Sequence, residues 1–219
     1  MARAARRTNP GCAHYVQQEG AARCVFRSDE DCLCYLEALH ACARREGVWI
    51  HGYVLLPGSA RLLLAPATAL GLSRCMQELS RRYARWFNAR YLRKGAVWRG
   101  RYRSCAIAPG LELECCRYLE GLPVKEGLAV RACRYLWSSA PHHAGFRRDE
   151  FLSDAPDFQL AGAGVDGGAR WQGLLEAPLP ERVGRLLEQC ARRGSPFSPE
   201  AQDLNGIDFL LMHKKQDEI

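Results

Sequence analysis

The chain has 219 residues, of which 47% are hydrophobic, and this is enough for one ordinary folded domain with an appendage. Its basic N-terminus is not followed by the apolar segment of a signal peptide, and no apolar run approaches the roughly 18 residues of a membrane span. Composition therefore argues against a secreted or membrane protein, and we expect a cytoplasmic location with no membrane partner.

The positive charge is concentrated in one part of the chain. Residues 1–150 carry 24 lysines and arginines against 13 acidic residues, whereas residues 151–219 carry 7 against 11. Within residues 71–103 there are ten basic residues and one acid, Glu78. A positive field of this density favours a polyanionic partner.

The cysteines and histidines do not predict a metal site or a disulfide framework. Eleven cysteines are scattered along the chain, their number is odd, and no C-x-x-C spacing occurs. We expect most of them to be small core residues. We expect His51 to be a hydrogen-bonded strand residue. His142 and His143, which follow one another in the sequence, are expected to be solvated.

The first half of the chain predicts a strand, a helix and a hairpin, in that order. Residues 13–18 favour a strand, and Ser28 with Asp31 three residues later is typical of a helix start. Gly47 is expected to end that helix. The two short apolar runs at 48–56 and 60–65, separated by turn formers, predict a β-hairpin.

The second half predicts a long amphipathic helix over residues 70–91, a strand at 103–107 and a helix at 111–121 that Pro123 stops. This order favours an α+β fold with a ferredoxin-like antiparallel sheet and helices on one face. After residue 145 the composition changes, with a glycine-rich stretch at 161–168 and an amphipathic helix at 180–193. We therefore predict a domain over 1–145 and a linker with a small, acidic helical tail over 146–219.

The order of these elements resembles that of the REP-associated tyrosine transposases, the insertion-sequence-type branch of the single-tyrosine HUH endonucleases. Similar stretches include FRSDED at 26–31, HGYVLLP at 51–57 and VWRGRYRS at 97–104. Further stretches are found at 83–88, at 117–119 with 123–128, and at 137–139, and 170–198 resembles the helical tail of some members. The resemblance implies a ferredoxin-like fold and a role on DNA.

The resemblance also implies a reaction centre between the central hairpin and a helix. In the family, a His-x-His pair on the hairpin and an Asn or Gln one helical turn after a tyrosine bind Mg²⁺ or Mn²⁺, and the tyrosine attacks the DNA phosphate. The matching positions here are Ser59, Arg61 and Leu122, and the tyrosine is Tyr118. None of the three replacements is a good ligand for these ions, so we expect no metal cofactor and a loss of strand cleavage.

The basic segment at residues 71–103 is the main part of the predicted DNA-binding surface. Basic side chains contact phosphates, and interleaved aromatic rings can stack on unpaired bases. In addition, we hypothesise that Arg61 contacts the phosphate that a metal would otherwise polarise. We expect DNA contacts from Arg61, Arg74, Arg81, Arg85, Arg90, Trp98, Arg99, Arg101, Tyr102 and Arg103.

The sequence is thus interpreted as a DNA-binding protein for hairpin or single-stranded DNA of the palindromic-repeat kind, and two alternatives stay open. In the first, the protein is still a tyrosine nuclease that forms a 5′-phosphotyrosyl intermediate through Tyr118. In the second, it binds no nucleic acid and is a protein-interaction or dimerisation scaffold, with Tyr118 as a packing residue and the arginines as a solvated helix face. Whether it is a homodimer stays open as well.

Overall fold

The computed structural model describes residues 8–155, 158, 161 and 168–198. Within these residues, four strands form one sheet with the order β2-β3-β1-β4. The strands are β1 His14–Glu19, β2 Val48–Leu56, β3 Ser59–Pro66 and β4 Arg103–Ala106. All three pairings are antiparallel, so the predicted α+β class with an antiparallel sheet is confirmed.

Six α-helices are found in the described part of the chain, together with a short 3₁₀ helix at Ala132–Arg134. None of them is both long and apolar enough to cross a membrane. The helices are α1 Asp29–Glu46, α2 Gly71–Arg90, α3 Glu112–Lys125, α4 Ala140–His143, α5 Gly168–Glu176 and α6 Glu181–Arg193.

The ends of α1 form as the sequence predicts. The Ser28 hydroxyl accepts from the Asp31 backbone N–H, and the Asp31 carboxylate accepts from the Ser28 backbone N–H at 3.0 Å. This reciprocal pair satisfies two donors that a helix start leaves without partners. Gly47 ends the helix in the left-handed conformation at φ 61°, which glycine adopts without a steric penalty.

Helices cover both faces of the sheet, whereas we expected them on one. Leu62 and Leu64 of β3 pack in a cluster with α1 and α2, and Leu63 between them packs on the opposite face with α3, α5 and α6. Successive side chains of a strand point to opposite faces, so the unbroken run of leucines signals a strand buried on both sides. Helix α3 and the two helices of the tail, α5 and α6, supply this second layer.

Two further boundary predictions have different outcomes. The prediction that Pro123 stops α3 is wrong, since the helix runs on to Lys125. Proline removes one backbone donor, but Glu126 N–H still bonds Leu122 O at 2.9 Å, so the last turn forms. The predicted helix at 180–193 is confirmed as α6, whereas most of the predicted glycine-rich stretch, residues 162–167, lies outside the described residues.

The cysteines agree with the expectation of core residues. All eleven lie in the described part of the chain as free thiols, and eight of them are buried.

Candidate nucleic-acid interface and hairpin site

The hairpin site is defined here as the face of β1 and β3 that carries Ser59 and Arg61. Ser59 pairs with Glu19 and Arg61 pairs with Gln17 in the antiparallel register, so these four side chains share one face of the sheet. Leu63 follows on the same face and belongs to the cluster under α3. Ser59 and Arg61 are both buried.

Arg61 has its counter-ion within the protein. One guanidinium nitrogen lies 2.8 Å from a carboxylate oxygen of Glu19, and Gln17 donates to the same oxygen at 2.8 Å. The Arg61 side chain is only 9% exposed, whereas that of Glu19 is 34% exposed. These observations argue against the predicted contact between Arg61 and a DNA phosphate, because the guanidinium is already paired and covered.

The residues of the hairpin site do not fit Mg²⁺ or Mn²⁺. These ions require several oxygen ligands that converge, and here Arg61 places a cation on the face where the ion would bind. Ser59 offers a single hydroxyl, the Glu19 carboxylate on the same face is already paired with Arg61, and Leu122 of α3 is a buried aliphatic side chain. Ser59, Arg61 and Leu122 therefore do not provide a converging set of ligands for such an ion.

Tyr118 lies on α3 and is covered by α6. Its hydroxyl donates to the Glu188 carboxylate at 2.9 Å, and its ring packs edge-on to Tyr15 with ring centroids 6.3 Å apart. Gly184 lies directly against the ring, and a Cβ added there would be 2.3 Å from Tyr118 Cε2. Helix α6, which the sequence predicted to be part of a tail, thus covers Tyr118. Tyr118 is the residue that matches the family's nucleophilic tyrosine in the resemblance.

This environment also disfavours the chemistry of a nucleophilic tyrosine. Burial, followed by the negative charge of Glu188, raises the pKa of Tyr118 above its ordinary value. A phenol attacks a phosphate as its conjugate base, so a raised pKa reduces the reactive fraction at neutral pH. In this conformation Tyr118 behaves as a packing residue that forms one hydrogen bond.

The predicted arginines of α2 divide into paired and open side chains. Arg74, Arg81 and Arg85 are exposed and lie on one stripe, because residues seven and eleven apart share a helix face. Arg81 pairs with Glu78 one turn earlier. Arg90 pairs with Glu30 at 2.6 Å and so connects α2 to the first turn of α1.

A second group of exposed arginines follows α2 and lies beside the hairpin site. The Arg99 backbone N–H donates to Glu19 O at 2.8 Å, which places this segment at the end of β1. Arg103 begins β4 opposite Gln17, on the face that also carries Arg61. Arg101 is exposed between them. We call these three residues and the α2 stripe of Arg74, Arg81 and Arg85 together the basic surface, although Arg103 and the α2 stripe lie on opposite faces of the sheet.

The two aromatic residues predicted to stack on bases are buried. Trp98 packs among the rings of Tyr35 and Tyr83, with centroids 5.9 and 5.5 Å away. Tyr102 belongs to the same buried cluster on the α1–α2 side of the sheet. Their burial argues against the prediction that they stack on bases. Trp98 and Tyr102 therefore belong to the core rather than to the surface.

No family model and no curated protein matches this sequence, but solved structures do match the fold. One of them is a REP-associated tyrosine transposase bound to a REP hairpin, with a TM-score of 0.52 and 14% sequence identity. The match covers 71% of this chain and 99% of the other. At this identity the likeness concerns the fold alone, and the chain shares the fold of that transposase.

Proposed function

We propose that the protein binds DNA, in hairpin or single-stranded form, through the basic surface and does not cleave it. The observation that carries the proposal is that Arg74, Arg85, Arg99 and Arg103 are exposed and form no ion pair within the described residues. Exposed arginines without a carboxylate partner are free to bind phosphates and to release the counterions condensed on DNA.

The proposal treats binding and cleavage separately. At the hairpin site Arg61 is neutralised by Glu19, and Tyr118 is covered by α6 and bonded to Glu188. Neither residue is presented to a DNA strand in this conformation. The fold resembles that of a protein bound to a REP hairpin, and hairpins of palindromic repeats are therefore the first DNA to test. We expect this activity in the cytoplasm.

The test measures fluorescence anisotropy of labelled hairpin and single-stranded DNA over a range of salt concentrations. We expect affinity to fall steeply with salt, with each neutralised phosphate contributing about 0.7 to 0.9 to the slope of log K against log salt. A variant with Arg74, Arg85 and Arg99 replaced by alanine should lose about 2 to 3 from that slope. The matched control replaces Arg148, Arg170 and Arg192, which are exposed arginines outside the basic surface that also form no ion pair within the described residues.

Two results would contradict the proposal. If neither hairpin nor single-stranded DNA binds at about 50 mM salt, the scaffold interpretation is favoured. If incubation with Mn²⁺ and labelled hairpin gives a band on a denaturing gel that Tyr118→Phe removes, the protein is an enzyme and α6 must move during its reaction.

A further inference from the structure

A second cluster of ionisable side chains lies on the side of α3 that faces away from Tyr118. Glu120 is fully buried, and its carboxylate accepts from His143 Nδ1 at 2.6 Å, Ser139 Oγ at 2.6 Å and Trp171 Nε1 at 2.9 Å. His143 is buried as well, so the prediction that it is solvated is wrong.

These contacts fix the orientation of the His143 ring. Because Nδ1 donates its proton to Glu120, the lone pair of a neutral His143 lies on Nε2. That nitrogen is buried and has no hydrogen-bond partner among the described residues. It lies 3.8 Å from Asp154 Oδ1, and His142 Nε2 lies 3.7 Å from the same oxygen.

We propose that His142, His143 and Asp154 bind a divalent transition metal of the Zn²⁺ class. The three ligand atoms lie within 4.8 Å of one another. Bonds of about 2.0 to 2.2 Å at tetrahedral angles separate two ligands by about 3.4 Å, so the contacts to Asp154 need to close by only a few tenths of an ångström. Two imidazoles and one carboxylate suit Zn²⁺ better than Mg²⁺, which prefers oxygen.

Glu120 supports this site without binding the ion. A carboxylate that accepts the other ring N–H is the usual partner of a metal-binding histidine, because it holds the ring in place and raises the basicity of the ligand nitrogen. Glu120 has this relation to His143. The same carboxylate is bonded to Ser139 and Trp171, so α3, α4 and α5 together hold the His143 ligand atom in position.

His142 is the ligand that must change most. Its Nδ1 accepts from the Asp149 backbone N–H at 3.0 Å, so its proton lies on Nε2, toward Asp154. Binding of the ion at Nε2 moves this proton to Nδ1, and the Asp149 amide has to turn away. His143 and Asp154 therefore contribute more to affinity than His142, and three protein ligands leave one position on the ion for water.

The test titrates the purified full chain with ZnCl₂ by calorimetry and with CoCl₂ by absorption spectroscopy. We expect one ion per chain, and cobalt d–d bands without a thiolate-to-cobalt charge-transfer band. Asp154→Asn and His143→Gln should each lower affinity at least about tenfold, and His142→Gln should lower it less. His14→Gln is the matched control, since this buried strand histidine bonds Cys12 O and lies outside the cluster.

The Asp154 variant keeps the test decisive if His143→Gln unfolds the protein, because the Asp154 side chain is 28% exposed and can change without disturbing the core. Zn²⁺ affinity unaltered by Asp154→Asn overturns the proposal. A thiolate charge-transfer band also overturns it, because it assigns the ion to some of the eleven free cysteines. The absence of a one-to-one complex does the same.

Discussion

Arg61 and Arg85 carry the same charge in opposite surroundings. Arg61 is buried in the hairpin site with Glu19 as its counter-ion, whereas Arg85 is exposed on α2 and has no ion pair within the described residues. The first arginine has become part of the packing, and the second remains available to a ligand. At the hairpin site the charge is neutralised within the protein, whereas on the outer face of α2 it is open to solvent.

Tyr118 extends this comparison to the helices. In α3 the tyrosine is bonded to Glu188 and covered at Gly184, so α6 completes the hydrophobic layer on its side of the sheet. On the other side, α1 and α2 complete the layer, and the outer face of α2 carries the arginine stripe. One face of the sheet is thus covered by α3 and the tail helices, with Arg103 exposed at its edge, and over the other face α2 presents the arginine stripe.

The largest expected effect comes from separating the two charges of the hairpin site. Glu19→Gln leaves the buried Arg61 cation without its counter-ion, and we expect the free energy of unfolding to fall by about 2 to 4 kcal/mol. Arg61→Met should cost less, about 1 kcal/mol, because Glu19 is partly exposed and can be solvated. Urea denaturation of both variants and of the double variant measures this difference.

The double variant is the control for that asymmetry. Removal of both charges together leaves no uncompensated ion, so the double variant should be more stable than Glu19→Gln alone. Equal losses in the two single variants would mean that Arg61 is solvated in solution. The comparison between Arg61 and Arg85 would then fail.

The second-largest change in stability is expected at Gly184, and it tests whether α6 covers Tyr118 in solution. Gly184→Ala places a methyl group where the Tyr118 ring lies, and we expect a loss of about 1 to 3 kcal/mol in unfolding free energy. Gly173→Ala in α5 is the matched control, since a Cβ there meets nothing within 4 Å. It should be neutral or stabilise by up to about 1 kcal/mol, as expected for alanine in a helix. If Gly184→Ala and Gly173→Ala change the unfolding free energy equally, α6 does not contact the Tyr118 ring in solution.

A smaller effect is expected from Tyr118→Phe, which removes the hydroxyl and keeps the ring. The loss of the bond to Glu188 should cost about 0.5 to 1.5 kcal/mol in thermal or urea unfolding. DNA affinity should remain unchanged, because the hydroxyl is bonded to α6 and the basic surface is intact. A large loss of DNA affinity in this variant would show that Tyr118 contacts the nucleic acid.

Local signals in the sequence were enough for much of the fold. The cap at Ser28, the glycine at 47, the two hairpin strands and the helical periodicity of α2 each depend on residues a few positions apart. Such patterns arise from backbone geometry and are visible in a single sequence. Pro123 is the exception. Proline usually ends a helix, but α3 continues past it to Lys125 because its last turn still forms.

The candidate sites depend on long-range contacts that a single sequence does not display. Glu19 meets Arg61 through strand pairing, and Glu188 meets Tyr118 from a helix 70 residues later. The lack of good metal ligands at Ser59 and Arg61 could be predicted from their residue types. The burial and the partners of these two residues could not be predicted, since both are decided only when the layers of the fold assemble.

The smallest expected effect distinguishes open from paired arginines within the basic surface itself. Arg81 and Arg85 are neighbours on one stripe of α2, but Arg81 is paired with Glu78 and Arg85 is not. If a phosphate binds Arg85, Arg85→Ala should lower the salt slope of DNA binding by about 0.7 to 0.9. Arg81→Ala should lower the slope by less, because Arg81 must give up Glu78 before it neutralises a phosphate.

Glu78→Gln provides the complementary change. It frees Arg81, so it should strengthen DNA binding and make the salt slope steeper. If all three variants have the unmodified slope, the α2 stripe lies outside the DNA contact, and binding through Arg99, Arg101 and Arg103 beside the hairpin site remains to be measured in the same way.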